Sequence, residues 1–155
     1  MSDTIRRNIL LNPGPATTTD SVKYAQVVPD ICPREKEFAS IMTPLRSDLV
    51  RVVHGDTDEY TTVLFCGSGT ICMDVVLNSL LDNDKRALVI NNGSYSQRAC
   101  DVLDAYGMPY IELRQPVDAL PDLDVIEEAL RNNPDVGYVY MTFHETGSGL
   151  LNPAR

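Results

Sequence analysis

The stretch RALVINNGSYSQRACDVLDAYGMPYIEL, Arg86 to Leu113, decides the fold. Arg86 to Ile90 is a short apolar run of strand length, rich in Leu, Val and Ile. It gives way at Asn92-Gly93-Ser94 to Tyr95–Tyr106, an amphipathic segment of helical spacing that Gly107 and Pro109 stop. Pro109 to Leu113 is a second run of strand length. Strand, helix and strand within about 30 residues is the pattern of two parallel strands joined by a crossover helix.

The same alternation extends in both directions. Upstream, Thr61 to Cys66 has strand length, and Gly69 to Leu81 reads as a helix apolar on nearly every side, expected between the sheet and another element. Downstream, Leu123 to Arg131 reads as a helix with Asp122 or Asp124 as N-cap and Asn132-Asn133-Pro134 as its stop, followed by a strand at Gly137 to Thr142. Asn8 to Leu11 is a fifth candidate strand. Phe38, Ile41, Met42, Leu45, Leu49 and Val52 recur at steps of three and four, the spacing of one helix face, with Pro44 expected to kink or split that helix. Asn12-Pro13-Gly14-Pro15 and the threonines after it form a loop. The fold class is α/β with a mostly parallel sheet.

Composition narrows the function. A chain of 155 residues can bury a real core. No apolar run approaches the roughly 20 residues of a membrane helix. Met1 to Arg7 is polar, and Ile9-Leu10-Leu11 is too brief for a secretory signal, so a cytoplasmic location is expected. A formal net charge of -9 with scattered basic residues argues against binding a nucleic-acid backbone and favours small-molecule ligands. Cys32, Cys66, Cys72 and Cys100 form no Cys-x-x-Cys pair and are expected to be reduced and mostly buried.

Three segments have the position and chemistry of a binding site. Gly67-Ser68-Gly69-Thr70 follows an apolar strand and opens a helix, where free amides, the helix dipole and two hydroxyls suit a phosphate; a plain strand-to-helix turn is the alternative. The loop is no Walker motif, and Cys72 stands where a dinucleotide fingerprint has its third glycine. Tyr95, after Asn92-Gly93, would sit at the C-terminal edge of the sheet, where its ring could stack on a flat heterocycle. His144-Glu145-Thr146 follows the last strand at that same edge, with Glu145 and Thr146 as candidate hydrogen-bond partners for a ligand's ring substituents. His54, just before Gly55 at a helix end, reads as a favourable charge at a C-terminus.

Taken in order, Asn12-Pro13-Gly14-Pro15, Gly67-Ser68-Gly69-Thr70, Asn92-Gly93-x-Tyr95 and His144-Glu145-Thr146-x-x-Gly149 with Leu151-Asn152-Pro153 resemble the N-terminal half of class V, fold-type I pyridoxal-phosphate aminotransferases. Asp30-Ile31-Cys32-Pro33-Arg34-Glu35 and Tyr60-Thr61-Thr62-Val63-Leu64 are most similar to the 2-aminoethylphosphonate:pyruvate branch. The resemblance implies an incomplete three-layer α/β/α large domain, with residues 1–55 a loop and helical segment and 56–155 the first part of the cofactor-binding domain. It implies that Ser68, Gly69 and Thr70 hold the phosphate of pyridoxal 5'-phosphate, that Tyr95 stacks on the pyridine, and that Thr146 contacts its phenolic-oxygen side. Pro13, Gly14 and Pro15 would line the substrate entrance. The implied reaction takes the amino group of 2-aminoethylphosphonate to pyruvate, giving phosphonoacetaldehyde and alanine, in a homodimer.

The family also needs an aspartate for the pyridinium nitrogen and a Schiff-base lysine, and neither is found here. Lys23, Lys36 and Lys85 have no place in the lysine motif, so no catalytic residue is assigned. A sheet of this kind is expected to close on a helix or an edge strand, whereas Asn152-Pro153-Ala154-Arg155 comes soon after a strand, which reads as an interruption before those groups. The chain alone is expected to be inactive. The alternatives are a noncatalytic or split-chain phosphate-binding protein and an unrelated nucleotide-binding α/β domain.

Overall fold

The computed structural model describes residues 7–153. The polar stretch up to Arg6 and the Ala154-Arg155 end, read above from sequence, lie outside the described residues. Two compact units part between Leu64 and Phe65. Among the described residues no helix is long and apolar enough to cross a membrane.

The first unit carries helices α1 (Asp20–Tyr24) and α2 (Lys36–Val52). Helix α2 runs through Pro44 without splitting, contrary to one of the two expected outcomes. Just past its end, His54 adopts the left-handed conformation (φ 58°) common at helix C-termini, with the Gly55 amide bonded 3.0 Å from the Val50 carbonyl. Neither Asn8–Leu11 nor Thr61–Cys66 is a strand. Side chains hold part of both segments: the Leu10 amide donates to Thr17 Oγ1 at 2.9 Å, and Arg46 Nε donates to the Thr62 carbonyl at 2.8 Å. A strand needs a neighbouring ladder, and apolar composition alone supplies none.

The second unit contains α3 (Gly69–Ser79), β1 (Arg86–Asn91), α4 (Ser94–Tyr106), β2 (Tyr110–Arg114), α5 (Leu123–Asn132) and β3 (Val136–Met141). Strands β1, β2 and β3 form a parallel sheet in the order β2-β1-β3, with Ala87 opposite Tyr110 on one side and Tyr138 on the other. This is the expected α/β architecture. The central strand β1 is buried on both faces, as an apolar run without alternation requires. Ala87 and Val89 meet Leu77 of α3 and Ala99, Cys100 and Leu103 of α4. The α4 residues recur at steps of one, three and four, a single helix face. Helix α5 starts at Asp122, whose carboxylate accepts from the amides of Asp124 (3.0 Å) and Val125 (3.3 Å), so Asp122 is the N-cap of the two candidates.

Two expectations fail here. Helix α3 buries only Leu77 completely, and Val76 is 47% exposed, so α3 is not enclosed on all sides. Of the four cysteines, all free, only Cys100 is buried. An apolar neighbourhood in sequence does not say which face of a helix or loop a thiol takes. The segment after β3 forms a small antiparallel hairpin of β4 (His144–Glu145) and β5 (Leu150–Leu151). Its turn needs Gly149, at φ 76°.

Candidate functional site

Because β1 and β3 run parallel, the turn after Asn91 and the turn after Met141 leave the sheet at the same C-terminal edge. Buried polar groups bind these turns together. Asn92 and Asn152 exchange side-chain amide bonds at 2.8 and 3.2 Å, and Asn152 Nδ2 also donates to the Thr142 carbonyl at 2.7 Å. Both asparagines are at most 1% exposed, so these bonds replace the water they have lost. Ser96 Oγ accepts from the Asn92 amide at 3.1 Å.

Glu145 completes the junction and is also fully buried. Its carboxylate accepts from the Tyr95 amide at 3.1 Å and from Ser94 Oγ at 3.2 Å, across the first turn of α4. Glu145 therefore spends its oxygens on the protein and does not serve as the ligand partner expected from sequence. Thr146, next in the chain, is half-buried. His144 is exposed and pairs with Leu151 in the hairpin.

Helix α3 begins after Ser68, whose backbone is extended and whose hydroxyl makes no capping bond, leaving it available to a ligand. Gly67 is required by space, since a Cβ there would lie 2.9 Å from Ile71 Cγ2, while Gly69 faces open space. Arg98, on α4, joins this loop to the tyrosine. Its Nη1 donates to Thr70 Oγ1 at 3.2 Å, and its guanidinium lies 5.4 Å from the centre of the Tyr95 ring. Gly67, Ser68, Thr70 and Arg98, together with the acids Asp74 and Asp101, help line a cavity of about 580 Å³. Thr70, Tyr95 and Thr146 are thus linked through Arg98 and Glu145. Of the two linking residues only Glu145 stood out in the sequence, in another role; Arg98 did not, although it lies one helical turn after Tyr95, the spacing at which two side chains meet.

Pro13, Gly14 and Pro15 lie in the first unit, in an exposed loop where Asn12 Nδ2 donates to the carbonyls of Gly14 and Pro15. His54 also lies in the first unit, at the end of α2. Lys85 immediately precedes β1, at the sheet edge opposite Asn92, separated from it by about 23 Å at the usual rise per strand residue.

The chain is 36% identical over 157 residues to a bifunctional phosphonoacetaldehyde hydrolase/aminoethylphosphonate transaminase of Clostridioides difficile, covering 99% of this chain and 24% of that protein. It is 37% identical over 145 residues to a 2-aminoethylphosphonate–pyruvate transaminase of Paraburkholderia phymatum, covering 94% and 39%. By sequence, the chain matches the 2-aminoethylphosphonate–pyruvate transaminases. The family expected from the motifs is the one found. A Bacteroides fragilis member is 33% identical over 95% of this chain and 41% of its own length, so the chain spans a quarter to two fifths of these relatives.

Solved aminotransferases share the fold. Alanine–glyoxylate aminotransferase from Nostoc sp. superposes with a TM-score of 0.83 at 22% identity, over 99% of this chain and 40% of that one. Pyridoxamine-pyruvate aminotransferase from Mesorhizobium loti also superposes at 0.83, with 17% identity over 99% and 38%. No protein-family model matches the chain.

Proposed function

We propose that this chain forms the phosphate- and ring-holding part of a pyridoxal-phosphate aminotransferase that moves an amino group between 2-aminoethylphosphonate and pyruvate. Residues 56–155 are then the first part of its cofactor-binding domain. The observation that carries the reading is the position of Arg98, hydrogen-bonded to Thr70 and stacked near Tyr95. A dianionic phosphate is suited by what surrounds that point: the uncapped Ser68 hydroxyl, the N-terminus of an 11-residue helix, and a cation next to Thr70. The Tyr95 ring, 38% exposed, keeps surface on which a flat heterocycle can stack.

In this reading Ser68, Gly69 and Thr70 hold the phosphate, Tyr95 orients the ring, Thr146 bonds its oxygen side, and Pro13, Gly14 and Pro15 line the substrate entrance. Pyridoxal phosphate, when bound, supplies the electron-withdrawing ring that carries the amino group between substrates. The chain's own part is to bind and orient. None of its three lysines is assigned to the reacting carbon, because Lys85 sits at the opposite sheet edge and Lys23 donates to the Thr18 carbonyl at 2.9 Å. We also propose a cytoplasmic location and a homodimer acting on small molecules, as the resemblance in the sequence motifs implies.

Tyrosine emission tests the reading, since the chain has seven tyrosines and no tryptophan. Pyridoxal phosphate is expected to quench it saturably, and inorganic phosphate to reverse the quench. Thr70→Ala and Arg98→Ala each should weaken binding about tenfold, the usual worth of a charge-assisted bond. Borohydride should fix no stoichiometric adduct on Lys23, Lys36 or Lys85 at the cofactor concentration that saturates the quench. Binding that ignores Thr70, Tyr95 and Arg98 together, or a stoichiometric adduct on one of those lysines at that concentration, overturns the assignment.

A further inference from the structure

We infer that Glu145 is a positioning residue: its buried carboxylate clamps the Asn92–Tyr95 turn, fixing the Tyr95 ring relative to Thr146. The inference rests on the reading above, in which those two residues touch the cofactor ring. Glu145 is fully buried, and among the described residues no salt bridge reaches it. A lone carboxylate out of water is costly unless donors converge on it. Here the donors are the Tyr95 amide and the Ser94 hydroxyl, at the positive end of a 13-residue helix.

The surroundings are shaped to admit that carboxylate. Gly93 has an extended backbone that any residue adopts, but a Cβ there would fall inside the Glu145 carboxyl group. A Cβ on Gly147 would lie 3.3 Å from Ser94 Oγ and 3.4 Å from Glu145 Oε1. Two glycines therefore leave room for one acid. Packing alone would be served as well by an apolar side chain, and a buried charge is poor evidence of stabilisation. What the carboxylate adds is direction: it holds the amide of Tyr95 while its own backbone carries Thr146, about 3.8 Å away at the next Cα. The Asn92–Asn152 pair pins the other side of the same junction, so the turn has little freedom to rotate.

The test uses the whole chain with two probes, pyridoxal phosphate and inorganic phosphate, and follows the exchange of the Tyr95 amide by NMR. In Glu145→Ala the Tyr95 amide should exchange at least about tenfold faster, the loss of one bond to a charged acceptor. Affinity for pyridoxal phosphate should fall about tenfold, while affinity for inorganic phosphate changes less than about twofold. In a Tyr95→Ala background Glu145→Ala should cost nothing further toward pyridoxal phosphate, because there is no ring left to position. Glu145→Gln, which keeps one acceptor oxygen, should recover part of the loss.

Equal losses for both probes, or additive losses in the double variant, overturn the inference. If Glu145→Ala does not fold, Glu145→Gln carries the same comparison, and a wild-type Tyr95 amide exchanging at free-chain rates overturns the clamp by itself. A wild-type chain that binds inorganic phosphate but not pyridoxal phosphate defeats the proposed function; Tyr95 exchange unchanged in Glu145→Ala then defeats the clamp separately.

Discussion

Two left-handed residues show how a single position reports its cause. Gly149 (φ 76°) turns the β4–β5 hairpin with the Gly149 amide 2.8 Å from the Glu145 carbonyl. An alanine there must accept a conformation that L-residues disfavour, so Gly149→Ala should lower stability by about 1 kcal/mol in chemical denaturation. His54 (φ 58°) holds the same conformation without glycine's freedom. His54→Gly should therefore be neutral or stabilising by up to about 1 kcal/mol, and a loss of that size would mean the imidazole makes a contact worth more than the strain it bears. Of the candidate site residues, Tyr95 is marked in the sequence by the strand edge before it, and Ser68 and Thr70 by turn chemistry alone, since the strand read ahead of them is not formed. Glu145 was visible but misassigned. Nothing local in His144-Glu145-Thr146 says that the acid turns inward to a helix start some 50 residues earlier in the chain.

At the scale of elements, the strand-helix-strand unit from Arg86 to Arg114 was readable because its period changes cleanly and Gly107 ends α4 in a left-handed cap. The two other candidate strands, Asn8–Leu11 and Thr61–Cys66, were misread for a reason that composition cannot reveal. A strand exists only where another strand pairs with it, and here Thr17 and Arg46 take up backbone groups that a ladder would otherwise use. Helix α5 depends visibly on its start, since Asp122 satisfies two amides that would otherwise lack partners. Asp122→Ala should cost about 1 kcal/mol, and Asp124→Ala much less, because Asp124 makes no cap bond. Equal effects in thermal melts would show that the charge of the first turn matters and the cap geometry does not.

At the scale of the whole molecule, the core should govern the response to alkali. The Cys100 thiol lies in the cluster formed by α3, α4 and β1, where burial, with Glu112 and other acids nearby, pushes it up from 9.0 to about 11. Tyr110, packed against that cluster, is pushed up from 10.0 to about 12 by burial and its bond to Asp104. Both groups are neutral when protonated, and folding favours that form. A folded-state value above the unfolded one gives a contribution fully present below the unfolded value and lost as pH rises through the folded one. The urea midpoint should thus hold up to about pH 9 and decline between about 9 and 12 as these two groups ionise. Cys100→Ala should lower the midpoint at every pH, through the small cavity it leaves, yet flatten the decline between 9 and 11. The same burial should keep Cys100 unreactive toward a thiol reagent at pH 8 while Cys32, Cys66 and Cys72 react quickly. A parallel decline in wild type and Cys100→Ala would assign the alkaline loss to Tyr110 and the surface, and remove the thiol from the account.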